Sequence, residues 1–393
     1  MYKRKLYHIL KNKIKDKEII VVTGMRRVGK TTLFKMIFEE IDSKNKVFLD
    51  IENPLNQKIF EEEDYDNIWA NLESFGINKE QKSYIFIDEI QVKPELTKVV
   101  KYLYDHYDVK FFLTGSSSFY LKNLFPESLA GRKIIFELFP LDFEEFLIFK
   151  EREKRFHHAL KDKVDKKNKI EYEKSKKLYD EYLEFGGFPQ VVLADNIEKK
   201  KEFLVDIFKS YFEKDVQSLA DFREMKAFRD LLLLLLKRIG TKLDITKLSS
   251  EIGVSRETIY TYLSFLENTY FIHFISPLTK SIDREVSKTK KIYVCDNGIA
   301  KYIGKCNEGS LLENSVFHNI RRYGEIRYYQ KRTGAEIDFI LNEAEKALEV
   351  KNKGNDRDYL KLKKLSEKLG IREYYIITKE YVDKKGFVQA QDL

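Results

Sequence analysis

Short strand-like apolar runs and longer helical patterns alternate through the first third of the chain. The runs are Ile19–Thr23, Val47–Ile51, Tyr84–Ile87, Lys110–Thr114 and Lys133–Glu137. Strands that alternate with helices predict a parallel sheet covered on both faces, and so an α/β fold. Ahead of the first run, Leu6, Ile9, Leu10 and Ile14 recur at helical spacing, which predicts an amphipathic helix in a basic N-terminal segment. That segment lacks the continuous apolar core of a signal peptide.

From about Asp142 to Arg229 the pattern turns helical, broken at Phe185-Gly186-Gly187-Phe188-Pro189, where a tight turn is expected. From Phe228 to about Tyr293 comes a compact helical unit followed by two strand-like runs. The last stretch mixes helices and strands. The boundaries this predicts are 1–145, 146–227, 228–293 and 294–393. The longest leucine run, Leu231 to Leu236, is far shorter than a membrane span, so a soluble protein with no membrane partner is expected.

Composition narrows the picture only a little. A chain of 393 residues is too long for one ordinary core, and 43% hydrophobic content argues against disorder. The net charge of +8 is concentrated: between Lys150 and Leu178 twelve Lys/Arg stand against six Asp/Glu. Such a stretch marks a solvated charged helix as readily as a nucleic-acid surface, so charge alone does not decide. Cys295 and Cys306 form no disulfide framework or metal-ligand spacing, and the cytoplasm is the expected compartment. Six prolines with abundant Lys, Glu and Ile fit hyperthermophile-like usage or an AT-rich genome equally well.

The chemistry is clearest after the first strand. Gly24-Met25-Arg26-Arg27-Val28-Gly29-Lys30-Thr31 follows Ile19–Val22 and opens the helical stretch Thr32–Ile41, which is GxxxxGK[ST] in its strand–loop–helix context. Glycines let backbone amides turn inward around phosphates, and the helix N-terminus adds partial positive charge. Lys30 is expected on the β/γ-phosphates and the Thr31 hydroxyl on Mg²⁺, with Gly24, Arg26, Arg27, Val28, Gly29 and Thr32 completing the ATP-binding set. Tyr84-Ile85-Phe86-Ile87-Asp88-Glu89 is an apolar strand ending in two carboxylates. Asp88 suits the Mg²⁺ shell and Glu89 the general base, so the pair points to hydrolysis. Thr114, before Gly115-Ser116-Ser117-Ser118, either contacts the γ-phosphate or water, or begins a loop that caps the next helix. Arg132 is either a finger for transition-state charge, within the chain or across a subunit interface, or a structural salt bridge.

Asp244 to Ser255 reads as a capped helix, a turn at Gly253 and a second cap. Arg256–Leu266 follows, with Ile259, Leu263 and Leu266 as its apolar face, giving a helix-turn-helix. The runs Tyr270–Ile275 and Ile292–Cys295 flank a polar loop with Lys280, Arg284, Lys288, Lys290 and Lys291, which reads as a wing. If the module binds DNA, Arg256, Thr258, Tyr260 and Thr261 face the groove and the wing lysines meet phosphates. The alternative is a packing module between ATPase and effector.

Near the C-terminus, Glu313 lies on the helical stretch Ser310–Tyr323, and Gly334–Leu341 and Ala347–Lys351 form a hairpin. Asp338 sits in one strand and Glu349-x-Lys351 on the next, where alternation puts Glu349 and Lys351 on one face. Together these could bind a second Mg²⁺ or Mn²⁺ through Glu313, Asp338 and Glu349. With Lys351 they could activate water for phosphodiester hydrolysis. The alternative is a solvated polar face over buried Ile337, Phe339 and Val350.

With these motifs in view, the chain resembles the archaeal and bacterial AAA-like P-loop ATPases that carry a C-terminal domain related to the PD-(D/E)XK nuclease fold. The resemblance rests on TGMRRVGKTT, YIFIDEIQ, LTGSSS, SLAGR, ELFPLDFEEFL, FGGFP, KIYVCDNGIA, LLENSVFHNI, GAEIDFIL and LEVK. Met25 stands where the family often has proline, a change that leaves the phosphate-binding backbone intact. The resemblance implies an AAA-like domain, a winged-helix segment and a C-terminal restriction-endonuclease-like domain. It carries ATP and Mg²⁺ roles onto Lys30, Thr31, Asp88 and Glu89, and nuclease roles onto Asp338, Glu349 and Lys351. The function it suggests is an ATPase coupled to a DNA-binding or DNA-processing module. The alternative is a nucleotide-dependent switch or scaffold, homo-oligomeric or with a protein partner, that binds without cutting.

Overall fold

The computed structural model describes residues 2–115, 129, 131–216, 225–279, 289–331, 334–342 and 344–393. It divides into two compact units. The first is Met1–Phe139 with Asn268–Tyr270, and the second is Pro140–Glu267 with Phe271–Leu393. Apart from Asn268–Tyr270, the three later segments expected from the sequence fall within the second unit.

In the first unit, α1 (Lys5–Asn12) precedes β1 (Ile19–Thr23), α2 (Lys30–Glu40), β2 (Lys46–Asp50), β3 (Ser83–Asp88), α3 (Leu96–His106), β4 (Val109–Gly115) and β5 (Lys133–Glu137). All five expected strands are present and pair in parallel, in the order β2-β3-β4-β1-β5. Every residue of β1 and β4 is buried, as a sheet covered on both faces requires. In α1 the burial falls on Tyr7 and Leu10, whereas Ile9 is exposed.

The second unit contains α4 (Lys169–Phe185), α5 (Met225–Leu236), α6 (Ile245–Ile252) and α7 (Arg256–Asn268). Then come β6 (Ile272–Pro277), β7 (Lys291–Val294), α8 (Asn297–Tyr302), α9 (Glu308–Ile320), β8 (Ile326–Gln330), β9 (Glu336–Leu341) and β10 (Lys346–Lys351). The chain closes with α10 (Asp356–Lys368), β11 (Glu373–Thr378) and β12 (Phe387–Gln389). Seven strands form one mixed sheet in the order β12-β11-β10-β9-β8-β6-β7. The join that merges the middle of the chain with its end is short. Ser276 and Pro277 of β6 pair in parallel with Arg327 and Tyr328 of β8.

Two groups of sequence motifs prove to be structural. Asp296 caps α8 through Gly298 N at 2.8 Å and Ile299 N at 3.3 Å, and also accepts from Gly187 N at 2.7 Å. Gly186 ends α4 at φ 75°, and a Cβ there would overlap the Asp296 carboxylate. Asn314 donates to Asn297 Oδ1 at 2.9 Å, so FGGFP, VCDNGIA and LLEN share one buried polar network. Part of the basic stretch is held by internal partners. Lys154 pairs with Asp392 at 2.7 Å and Lys163 donates to the Asp392 carbonyl. Lys167 donates to the Val382 carbonyl at 3.2 Å. Burial, then Arg322, pushes the Lys163 ammonium down to about 7. Cys295 and Cys306 are free and buried. Among the described residues no helix is long and apolar enough to cross a membrane.

Candidate functional sites

In the first unit, β1 delivers the chain into a loop that only small or left-handed residues can follow. Gly24 has φ 149°, and a Cβ there would collide with the Leu138 carbonyl. Arg27 at φ 65° and Gly29 at φ 98° continue the curl to Lys30, the first residue of α2. The Lys30 ammonium is turned into that curl, donating to the carbonyls of Gly24 at 2.8 Å and Met25 at 3.0 Å. Val28 is buried, and its carbonyl accepts from Arg4 Nη1 at 3.0 Å while Arg4 Nη2 reaches the Phe139 carbonyl at 2.9 Å. Arg26 forms a 3.4 Å ion pair with Glu52 at the loop's rim, and Thr32 is exposed on the first turn of α2.

The strand order sets β4 between β1 and β3, so their C-terminal ends converge beside this loop. Thr31 Oγ1 donates to Asp88 Oδ2 at 2.7 Å, and Thr114 Oγ1 donates to Asp88 Oδ1. Thr114 Oγ1 in turn accepts the Glu89 backbone N–H at 2.9 Å. Glu89 adopts φ 56°, and its carboxylate accepts from the Gln91 amide. Burial raises the Asp88 carboxyl above its ordinary range, and the two hydroxyl donors offset that only in part. Thr114 thus belongs to the site, whereas Ser116, Ser117 and Ser118 lie outside the described residues.

Arg132 is a correction for a finger acting within its own chain. Its carbonyl accepts from Ile19 N at 2.8 Å, at the start of β1, while the phosphate loop leaves the other end of that strand. Five strand residues, about 16 Å, separate the two ends. The guanidinium forms a two-pronged ion pair with Asp105, Nε–Oδ1 2.8 Å and Nη2–Oδ2 3.1 Å. Arg4 and Gln91 were missed: one reaches its partners across 24 and 135 residues, and the other matters only through the turn after Glu89.

In the second unit the expected hairpin is present: β9 and β10 pair antiparallel from Lys346↔Leu341 to Leu348↔Phe339. Beyond that, Asp338 Oδ2 accepts the Val350 N–H at 2.8 Å in place of a ladder bond. Lys351 Nζ donates to Glu349 Oε1 at 2.7 Å, and Glu349 Oε2 is buried with no hydrogen-bond partner. Glu313 accepts from Tyr293 OH at 2.6 Å.

The sequence missed the centre of this cluster. The Lys291 ammonium lies 3.7 Å from Glu313, 3.7 Å from Asp338 and in contact with Glu336. One expectation is therefore corrected. Lys291 is not a wing residue facing phosphate, since its side chain is only 4% exposed. Among the described residues no group of three or more His, Cys, Asp or Glu is disposed to hold a metal ion. Glu313, Glu336 and Asp338 share the Lys291 ammonium, and Glu349 pairs with Lys351. Burial raises the Glu313, Asp338 and Glu349 carboxyls, with Asp338 adding to the rise of the other two. Burial alone would lower Lys291, but Glu313, Asp338 and Glu336 outweigh it and hold the ammonium above its ordinary value.

The helix-turn-helix geometry is present in α6 and α7. Gly253 ends α6 at φ 81°, and Ser255 Oγ accepts from Thr258 N at 3.1 Å. Ile259, Leu263 and Leu266 are buried, while Arg256, Tyr260 and Thr261 are exposed. Lys290 is exposed, whereas Lys280, Arg284 and Lys288 lie outside the described residues.

Comparison with known proteins agrees with the first unit's geometry. A family described as an AAA domain matches residues 16–147. Two domains of unknown function, DUF8612 and DUF4143, match residues 176–309 and 308–389. An uncharacterized protein of Methanocaldococcus jannaschii is 32% identical over 349 residues, 85% of this chain and 73% of its own length. An uncharacterized protein of Haemophilus influenzae is 29% identical over 350 residues, 86% of this chain and 82% of its own. Among solved structures, the Walker-type ATPase of Pyrococcus abyssi is similar at 15% identity and a TM-score of 0.48. That match covers 77% of this chain and 96% of that one.

Proposed function

The chain belongs to the same family as its Methanocaldococcus jannaschii relative and carries an AAA domain at its N-terminal end, and from that premise we propose that it binds and hydrolyses ATP. The observation that carries this reading is the hydrogen-bonded chain Thr31–Asp88–Thr114–Glu89 beside the Lys30 ammonium. The residues fit a magnesium nucleotide. The Lys30 ammonium sits in the loop's curl against the Gly24 and Met25 carbonyls, and one hydroxyl and one carboxylate stand together as oxygen donors. Bound Mg²⁺ supplies neutralisation of charge on the β- and γ-phosphate oxygens.

The chain's own residues divide the remaining work. Lys30 exchanges the Gly24 and Met25 carbonyls for β/γ-phosphate oxygens, and the loop amides with the start of α2 add fixed positive potential. Thr31 and Asp88 would hold Mg²⁺. Glu89 takes the proton of the attacking water, oriented by the Gln91 amide, while Thr114 ties Glu89 to the metal-holding Asp88. Phosphate release by the purified full chain should fall at least about a hundredfold in Lys30→Ala, the usual scale for losing an electrostatic group aimed at developing charge. Undiminished turnover in that variant would sink the reading.

We further infer that nucleotide state in the first unit acts on a nucleic-acid-directed module in the second. Cleavage of labelled DNA with Mg²⁺ or Mn²⁺, lost in Lys351→Ala, would make that module a nuclease. A second reading, in which the module binds without cutting, is favoured by one observation: the Lys291 ammonium already occupies the space between Glu313, Glu336 and Asp338. Absence of cleavage with ATP turnover intact would select it.

A further inference from the structure

A cleft of about 610 Å³ opens in the second unit beside the Glu349–Lys351 pair, and five of its twelve lining residues are lysine. Lys361, Lys364 and Lys368 line one side from α10, and Lys331 and Lys351 complete the ring of ammonium groups. The acidic residues there already have partners, Glu349 in one of the cleft's own lysines. Glu349 is paired with Lys351 at 2.7 Å, Glu336 with Lys291, and Asp358 closes the capping box of α10 by accepting from Asn355 N at 3.1 Å. Lys361, Lys364 and Lys368 are exposed, and among the described residues none of the three forms an ion pair.

The row follows from helical periodicity. Leu362 and Ser366 are the buried positions of α10, so residues 361, 364 and 368 fall on one outward face. From Lys361 to Lys368 the helix rises about 10 Å, comparable to the axial rise of about three nucleotides of a duplex strand at about 3.4 Å each. Three like charges kept on one face repel one another unless an anion of similar spacing lies against them.

We propose that this cleft holds the phosphodiester backbone of a nucleic-acid strand through the α10 lysine row, without a metal ion. The proposal rests on reading the second unit as the nucleic-acid-directed module and names the surface that grips the ligand. Recognition is electrostatic and indifferent to base sequence, because lysine side chains meet phosphates rather than base edges. The deep carboxylates keep their Lys291 counter-charge throughout, so chelators leave binding unchanged.

The test uses the full chain and fluorescein-labelled 30-mers of single-stranded DNA, duplex DNA and single-stranded RNA. Anisotropy is read in EDTA from 50 to 200 mM KCl. At least one probe should bind wild type with affinity falling steeply as salt rises. In Lys361→Ala/Lys364→Ala/Lys368→Ala, affinity at 100 mM KCl should drop at least about tenfold, and the log–log salt slope should shrink by about 2 to 3. The corresponding triple arginine variant should restore both. Alanine is the best helix former, and circular dichroism checks that the variant folds. Binding by wild type to no probe, or equal affinity and slope in the alanine variant, overturns the proposal. ATP turnover measured on the same samples scores the ATPase reading separately.

Discussion

The two polar centres use similar residues to opposite ends. In the first unit Lys30 donates to backbone carbonyls, and Asp88 accepts from two neutral hydroxyls. In the second unit Lys291 is surrounded by Glu313, Glu336 and Asp338, so the carboxylates meet an ammonium supplied by the protein itself. A carboxylate met by neutral donors is prepared for a cation, whereas one met by an ammonium has its counter-ion already.

The sharpest way to break that contrast is to remove the internal cation. Lys291→Met leaves three carboxylates facing one another in a buried site and should cost about 3–5 kcal/mol of stability. Urea unfolding checks it. With the ammonium gone the carboxyl pKa values rise further, so the loss should be largest at alkaline pH and shrink as the pH falls. A variant as stable as wild type at pH 8 would mean that the cluster is not held together by this charge.

A buried histidine on the same helix as Glu313 gives the next effect. His318 Nε2 lies 2.7 Å from the Val294 carbonyl, and burial, then Arg321, lowers its pKa to about 3. A depressed folded pKa means that the unfolded chain binds the proton more tightly. The contribution is therefore complete above pH ~6.5 and is lost as the pH falls towards 3, at about 1.4 kcal/mol per pH unit. The raised carboxyls of Glu313 and Glu349 act in the opposite sense, so the comparison must be with His318→Gln. Its stability should fall less steeply between pH 6.5 and 4, and parallel curves would exclude the effect.

The smallest expected change is at Arg132. Its pair with Asp105 is exposed at the far end of the sheet, so Arg132→Ala should leave both the thermal midpoint and ATP turnover unchanged within error. A large loss of turnover would restore a catalytic role for it, reached from a second copy of the chain.

Much of the first unit could be read from local signals. Strand length, the loop glycines and the Asp88-Glu89 ending are properties of neighbouring residues, and all appear where expected. The hairpin of β9 and β10 and the helix-turn-helix of α6 and α7 are likewise short-range features. Periodicity alone placed Asp338, Glu349 and Lys351 close together, because alternation along paired strands leaves little choice.

What periodicity could not supply is which distant groups meet. Lys291 looks like one more lysine after a polar loop until β7 is set at the edge of the seven-stranded sheet and its ammonium drops among the carboxylates. Arg132 follows β4, which carries Thr114, but parallel pairing sets it at the opposite end of the strands from the phosphate loop. Local patterning therefore selected the elements and the nucleotide loop. The assembled sheets chose the partners of each charged side chain, because electrostatic neighbours depend on distance in space, to which short-range sequence patterns are blind.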